Sequence, residues 1–260
     1  MRNLIVVGYG RMAQALLKGL AQNASKLENY QLQITGRNPE KILPFLQSLP
    51  IEVEILPPHG KKIEVQDSIV LLAIKPYGLK SLRYEGGAHM VISLLAGVGV
   101  PSLQAHVQSA HYVRCMPNIA AAHALSATTM YAPTAKKDEA RAILECLGQV
   151  VEVESEALLD ASLATNGSIL AFLGMGAQGL ISAGVCAGLS QEQASKLVAQ
   201  SFTGFAKLLE THNPQEIIEA ITTPGGATIA GISVLEQKAF KGILMQACQA
   251  TIEKGRTPSN

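Results

Sequence analysis

The chain has no tryptophan, few aromatic residues and almost no net charge. Aromatic side chains make up 4% of the 260 residues, and 21 basic side chains are balanced by 20 acidic ones. Binding to nucleic acid requires a basic face, so this balance argues against a nucleic-acid partner. The chain begins directly with strand-forming residues and shows no signal peptide, from which we expect a cytoplasmic protein.

Cysteine is sparse as well. The four cysteines, Cys115, Cys146, Cys186 and Cys248, lie far apart and form neither a CxxC motif nor a Cys/His cluster. Protein metal sites draw on clustered ligands of these types, so we predict no metal site. Isolated cysteines in a reducing cytoplasm behave as small hydrophobic side chains, and we expect these four to be buried.

Charge is missing altogether from residues 161–191, a run long enough to span a bilayer. The run nevertheless contains six glycines and several polar side chains, and no basic residue flanks it closely. A helix that is apolar all round can equally form the buried centre of a soluble oligomer. We therefore predict a homodimer or a higher homo-oligomer, and no membrane partner.

The first strand and turn carry a clear functional signal. Leu4–Val7 is a run of four apolar residues, typical of a parallel strand covered on both faces. Gly8 and Gly10 follow at once, and Ala13 is small enough to replace a third glycine where a helix packs on a strand. Strand, glycine turn and helix in this order suit a dinucleotide, because the helix N-terminus binds the pyrophosphate. The alternative is an ordinary strand-to-helix turn. The predicted cofactor-binding residues here are Gly8, Tyr9, Gly10, Arg11, Met12 and Ala13.

The end of the second strand, predicted over residues 31–36, bears on the type of cofactor. NAD-binding sites often place an acidic residue here to bind the ribose 2′-hydroxyl, and none is present. Arg37 follows the strand instead, and its permanently charged guanidinium would suit a 2′-phosphate. The sequence therefore favours NADP, with a solvated loop arginine as the alternative.

Two later strands also end in residues suited to a ligand. The apolar strand 68–74 stops at Lys75 and Pro76, and the strand 89–95 stops at Ala96. Ligands of open parallel sheets bind at the carboxyl ends of the strands, so Lys75 is a better candidate than a lysine on a helix face. The alternative is a surface lysine at a strand end.

Strands alternate with helices up to about residue 153, and helical patterns alone follow Ser155. We predict an α/β fold in which an N-terminal Rossmann-like doubly wound sheet, residues 1–154, is followed by an all-helical dimerisation domain, residues 155–260. Within these domains we expect a helix from Pro39 to Leu49 and a single final helix from Gly231 to Lys254.

Five motifs, in order along the whole chain, resemble those of the pyrroline-5-carboxylate reductases. The most specific is the turn 223–231, Thr-Pro-Gly-Gly-Ala-Thr-Ile-Ala-Gly, followed by Val-Leu-Glu at 234–236. The others are Gly-Tyr-Gly-Arg-Met-Ala at 8–13, Ala-Ile-Lys-Pro at 73–76, Ala-Gly-Val at 96–98 and Arg-Cys-Met-Pro-Asn at 114–118.

The resemblance implies reduction of the C=N bond of 1-pyrroline-5-carboxylate to L-proline, the last step of proline biosynthesis, with NADPH as cofactor and NADH possible. It implies that the nicotinamide half of the cofactor is lined by Ala73, Lys75, Pro76, Ala96, Pro117 and Asn118. It implies a substrate carboxylate site at Thr223, Gly225, Gly226 and Thr228. The Thr228 hydroxyl would serve as the catalytic group that hydrogen-bonds the substrate nitrogen or the nicotinamide.

Two segments depart from the family pattern. Ile119-Ala120 stands where Thr-Pro is usual, and Asn166–Phe172 replaces the usual Ser-Gly-Ser-Gly-Pro-Ala-Tyr. One alternative function is a β-hydroxyacid-type dehydrogenase, but it needs a lysine base on the long helix, and no lysine occurs between Lys137 and Lys196. Another is a non-catalytic dinucleotide-binding sensor, which would bind NADPH without consuming it.

Overall fold

A computed structural model describes residues 1–57 and 62–256, without the side chains of Pro39 and Arg256. Ten strands occur in the described residues: β1 Arg2–Val7, β2 Tyr30–Thr35, β3 Glu54–Ile55, β4 Lys62–Glu64, β5 Ile69–Leu72, β6 Arg83–Glu85, β7 Ala88–Ser93, β8 Ser109–Met116, β9 Ser126–Tyr131 and β10 Gly148–Glu152. The α-helices are α1 Arg11–Gln22, α2 Leu43–Leu46, α3 Val100–Gln104, α4 Lys137–Glu145, α5 Glu156–Ala161, α6 Ile169–Cys186, α7 Gln191–Leu208, α8 Pro214–Ile221, α9 Ala227–Gln237 and α10 Phe240–Arg256. Short 3-10 helices cover Ala24–Leu27, Pro39–Ile42, Pro76–Ser81, Ile119–His123 and Ser162–Ala164.

Eight strands form one sheet in the order β10-β9-β8-β7-β5-β1-β2-β3. Its neighbouring strands run parallel, except that β9 is antiparallel to β8. The central strands are apolar and buried, with α1 and α4 among the elements that supply core side chains. The predicted Rossmann-like doubly wound sheet is confirmed. A small second sheet of β4 and β6 was not predicted from the sequence.

The chain divides into two compact units. Of the described residues, one unit comprises Met1–Gly167 together with residues 251–256, and the other comprises Ser168–Ala250. The second unit contains helices only, and Ser190 begins α7 through a capping box with Gln193. The predicted domain boundary after residue 154 stays a prediction.

Three expectations are wrong. The predicted final helix is two helices, because Ala239 adopts a left-handed backbone (φ +52°) between α9 and α10. The predicted helix from Pro39 to Leu49 is a 3-10 turn followed by α2, with Pro44 unable to donate an intrahelical hydrogen bond. The cysteines are not all buried, since Cys186 is exposed on α6 and Cys248 is half-buried.

The stretch Glu156–Cys186 is long and apolar enough to cross a membrane by length and composition. Its first part, however, carries Glu156 and Asp160, which form ion pairs with the buried Arg114. The continuous α-helix begins only at Ile169. The ion pairs therefore tie the start of this stretch to the sheet.

Glu139 on α4 links β1 and β7 near their amino-terminal ends. Its carboxylate accepts hydrogen bonds from Arg2 at 2.7 Å and from His89 at 2.8 Å. Burial raises the pKa of Glu139, but the hydrogen bond and charge of His89 and the charges of Arg2 and Lys136 outweigh burial and hold that pKa below its ordinary value. Burial, with the charges of His89 and Lys136, lowers the pKa of His111 against the opposing charge of Glu139. This cluster lies away from the strand ends where a ligand is expected.

These shifts predict a loss of stability on acidification. His111 binds a proton less readily in the folded chain, so stability should fall as the pH drops below the unfolded histidine pKa of about 6.5. Glu139 adds a second loss, because its stabilisation is present above the unfolded carboxyl pKa of about 4.3 and disappears as the pH falls through its lowered folded pKa. Urea unfolding between pH 8 and pH 5 should show a shallower decline in the free energy of unfolding for His111→Gln. An unchanged slope would contradict the assignment.

Gly19 provides a second test of the packing. It lies within α1, where an added Cβ would collide with the carbonyl oxygen of Ala121 and approach Leu147 Cδ2 to 3.1 Å. Gly→Ala normally favours a helix by about 1 kcal/mol, yet here we expect overpacking to destabilise the fold by about 1–3 kcal/mol. Gly87→Ala, in open space, is the control. Urea unfolding measures both, and a stabilised Gly19→Ala variant would contradict the packing described.

Candidate active site

The chain order of the sheet creates a crevice beside β1. From β1 the chain passes to β2 on one side and later returns to β5 on the other. Open α/β sheets bind ligands at such a switch point, outside the carboxyl ends of the strands. The register aligns Val7 with Thr35 and with Leu72, and Leu72 with Ser93, so these strands end at one edge.

The predicted cofactor residues follow the ends of five adjacent parallel strands, within a few residues of each. Gly8 to Ala13 follow β1, Arg37 follows β2, Ala73, Lys75 and Pro76 follow β5, Ala96 follows β7, and Pro117 and Asn118 follow β8. The structure therefore brings this whole set to one edge of the sheet. Their contacts with a cofactor stay a prediction.

The turn after β1 is held in place where three backbone segments, at Gly8, Thr35 and Ala73, approach one another closely. Gly8 has φ +113°, and an added Cβ would collide with the carbonyl oxygen of Ala73. The Gly8 N–H donates to the Thr35 carbonyl at 2.8 Å, and the Ala73 N–H donates to the Val7 carbonyl at 2.9 Å. Only glycine fits this backbone and this space without strain.

The N-terminus of α1 is open. Gly10 is its N-cap, no side chain caps it, and its first turn holds no acidic residue. The first intrahelical hydrogen bond is donated by the Gln14 N–H to the Gly10 carbonyl. The N–H groups of residues 11–13 therefore have no acceptor within the helix. Ala13 itself is fully buried in the core, as expected for close helix–strand packing. The arrangement suits an anion such as a pyrophosphate.

Exposed cations flank this edge. Arg11, Arg37 and Lys75 are exposed, and Lys75 is the N-cap of the 3-10 helix Pro76–Ser81. The ring of Tyr9 lies against Gly36, where an added Cβ would come within 2.9 Å of it. Basic side chains beside an open helix N-terminus favour a ligand that carries several phosphates.

Asn118 is buried, and both ends of its side-chain amide are hydrogen-bonded within the protein. Its Oδ1 accepts from the Ala120 N–H at 3.0 Å, and its Nδ2 donates to the Asn166 carbonyl at 3.0 Å. Asn166, in the divergent segment, donates to the Met116 carbonyl and to Thr129 Oγ1. These bonds fix the turn after β8, so Asn118 shapes the edge through its backbone position.

The predicted substrate residues lie in the helical unit, at the start of α9. Gly225 has φ +73°, and the Gly226 N–H donates to the Thr223 carbonyl at 2.9 Å. Gly226 is the N-cap of α9, without a side-chain cap or an acidic residue in the first turn. Thr228 is exposed in that first turn. This turn opens the penultimate helix, whereas the sequence predicted that it opens the last one.

Sequence reasoning gave no role to Arg114, which is 2% exposed within β8. A single arginine among the apolar residues at the end of the strand, Val113 to Met116, was the signal that could have shown it, because a buried guanidinium requires partners. Those partners are Glu156 and Asp160. Within residues 1–57 and 62–256, no group of three or more His, Cys, Asp or Glu side chains is arranged to hold a metal ion.

Two family models match the chain. One, described as pyrroline-5-carboxylate reductase dimerisation, covers residues 156–257. The other, described as NADP oxidoreductase coenzyme F420-dependent, covers residues 3–97.

Individual proteins match over nearly the full length. The chain is 46% identical to a pyrroline-5-carboxylate reductase of Helicobacter pylori, over 98% of this chain and 100% of that protein. It is 33% identical to one of Synechocystis sp., over 96% of both. A solved 1-pyrroline-5-carboxylate reductase from Streptococcus pyogenes superposes with a TM-score of 0.80 at 27% identity, over 98% of both chains. A pyrroline carboxylate reductase from Plasmodium falciparum with NADP bound shares the fold, with a TM-score of 0.75 at 24% identity and 98% coverage of both.

A mainly parallel sheet with an open helix N-terminus at its switch point is typical of a Rossmann-type dinucleotide-binding protein, and the match to the NADP oxidoreductase model makes the class an oxidoreductase. The full-length identities specify it further. The chain belongs to the pyrroline-5-carboxylate reductase family.

Proposed function

We propose that this protein reduces the C=N bond of 1-pyrroline-5-carboxylate to L-proline, with NADPH as the hydride donor and NADH as a possible substitute. The observation that carries the proposal is the open turn at the start of α9, in a chain 46% identical along its whole length to a reductase of that name. The N–H groups of this helix N-terminus suit the carboxylate of such a substrate.

The carboxyl edge of the sheet supplies the cofactor site in this proposal. The open N-terminus of α1 holds the pyrophosphate, and Arg37 pairs with the 2′-phosphate. The nicotinamide half is lined by Ala73, Lys75, Pro76, Ala96, Pro117 and Asn118. The residues present fit the group, because the N–H groups of residues 11–13 have no intrahelical acceptor and Gly10, which has open space around its Cα, places no side chain before them.

Catalysis requires little acid–base chemistry from the chain. NADPH, when bound, would supply one hydride to the imine carbon; with one proton on the nitrogen, the C=N bond would become CH–NH. The imine takes up its proton from solution, which leaves the protein to orient the reactants. Thr223, Gly225 and Gly226 form the turn that receives the substrate carboxylate, beside the N–H groups of residues 227–229, which precede the first intrahelical bond. Thr228 is the second residue of α9, and its hydroxyl hydrogen-bonds the reacting nitrogen or the nicotinamide.

Self-association is part of the proposal. Residues 168–250, all described, bury only Ala194 and Ile217 among their hydrophobic side chains, while Met175 and Met245 are more than 70% exposed. A helical unit with so few buried apolar side chains needs the apolar surface of another subunit to cover its exposed ones. We expect a homodimer or a higher homo-oligomer in the cytoplasm, without a nucleic-acid or membrane partner.

We place the nucleotide-binding domain at residues 1–154 and the helical domain at residues 155–260.

Thr228→Ala tests the catalytic assignment. Loss of a hydrogen bond to a charged or developing group should lower kcat for NADPH oxidation by about 10- to 100-fold, with NADPH affinity unchanged. Thr228→Ser keeps the hydroxyl and should recover most of the rate. A Thr228→Ala enzyme that forms proline at the wild-type rate would remove Thr228 from the mechanism. Wild-type protein that forms no proline would overturn the function itself.

Arg37→Ser tests the cofactor assignment. Removing the partner of the 2′-phosphate should lower kcat/KM for NADPH by about tenfold or more and leave NADH little changed. Arg83→Ser, which removes an exposed arginine from β6, is the matched control. Equal losses with both cofactors would show that Arg37 does not read the 2′-phosphate.

A further inference from the structure

Arg114 is buried in β8 and pairs with two carboxylates of one short helix. Its Nη1 lies 3.1 Å from Glu156 Oε1, and its Nη2 lies 2.8 Å from Asp160 Oδ1. Both acids belong to α5. The guanidinium is 2% exposed, so the pairs screen a buried charge and fix α5 beside the end of β8.

Glu156 makes one contact that Asp160 does not. Its Oε1 also accepts a hydrogen bond from the Val100 N–H at 2.9 Å. Val100 is the first residue of α3, and the preceding N-cap, Gly99, has no side chain to cap the helix. A carboxylate at this position satisfies an otherwise open N–H and is favoured by the helix dipole. The acid that holds Arg114 therefore also caps α3.

The cap holds one end of the turn that joins β7 to α3. At its start the turn is held by the Leu94 N–H, which donates to the Leu72 carbonyl, and at its exit by the Val100–Glu156 bond. Between these anchors Ala96 and Gly97 are exposed, and Gly97 adopts φ +70°. Ala96 is a proposed nicotinamide-lining residue, so the position of this turn bears on cofactor binding.

We propose that Glu156 is a positioning residue for the cofactor site, acting through the Val100 N–H to hold the Ala96–Gly99 turn at the carboxyl edge of the sheet. The ion pair with Arg114 holds the Glu156 carboxylate beside that N–H. The inference rests on the proposed function for the identity of the ligand, NADPH. It assigns to an acid of α5 a role in binding the cofactor without touching it.

Asp160 offers an internal control. Glu156→Ala and Asp160→Ala each remove one of the two carboxylates that pair with Arg114, from the same helix of the same unit. Only Glu156→Ala also removes the acceptor of the Val100 N–H. Glu156→Gln keeps an acceptor oxygen at this position while removing the charge. If Glu156 had a purely structural role, both alanine variants would lose stability, and their affinities for NADPH would not differ from each other.

Isothermal titration of the full-length proteins with NADPH, in the absence of substrate, measures the effect. We expect Kd for NADPH to rise about five- to tenfold in Glu156→Ala, as loss of a charge-assisted hydrogen bond allows the turn to move. Asp160→Ala should stay within about twofold of wild type, and Glu156→Gln should recover most of the affinity. The melting temperature should fall in both alanine variants.

Val100→Pro is a second variant in case Glu156→Ala does not fold. It removes the N–H donor at the first helical position, where proline is tolerated, and leaves the ion pairs of Arg114 intact. A wild-type Kd in Glu156→Ala or in Val100→Pro, or an equal rise in Asp160→Ala, would overturn the proposal. Wild-type protein that binds NADPH but forms no proline would refute the proposed function alone.

Discussion

The close approach of three backbones at Gly8 is the constraint on which the site depends. The Gly8 N–H is bonded to Thr35 on one side, and the Ala73 carbonyl lies where a side chain of Gly8 would be. This contact brings the ends of β2, β1 and β5 together and leaves the N-terminus of α1 open above them. The turns after β7 and β8 continue the same edge. A glycine in a left-handed backbone thus defines the floor of a nucleotide site.

Much of this organisation could be predicted from the sequence because the signals are local. Apolar runs identified the central strands, and the glycines marked the turn after β1. Ser190 with Gln193 three residues later is the local pattern of a helix start, and a capping box begins α7 there. Once the strands were identified, their parallel arrangement placed Lys75, Ala96 and Pro117 at one edge. The fold was therefore predictable, while the binding roles of these residues rest on resemblance.

What sequence reasoning missed depends on backbone conformation and on distant partners. Nothing in the local pattern showed that Ala239 would turn left-handed and divide the final helix. The roles of Arg114 and Glu156 follow from a contact across 42 residues of chain. Asn166, which departs from the family pattern, holds the turn after β8 by hydrogen bonds that a serine could reproduce only in part. Cys186 is exposed because the helical unit has little interior of its own to bury it.

The central claim is that this protein reduces a cyclic imine with a hydride from NADPH. It is tested most directly by supplying purified protein with 1-pyrroline-5-carboxylate and NADPH deuterated at the C4 position of the nicotinamide, in each stereochemical form, and analysing the product by mass spectrometry. The account predicts L-proline with a single deuterium, at the ring carbon of the former C=N bond, from one of the two forms. The account would be contradicted if the proline carried no deuterium with either form of the labelled NADPH, or if NADPH were consumed and no proline formed.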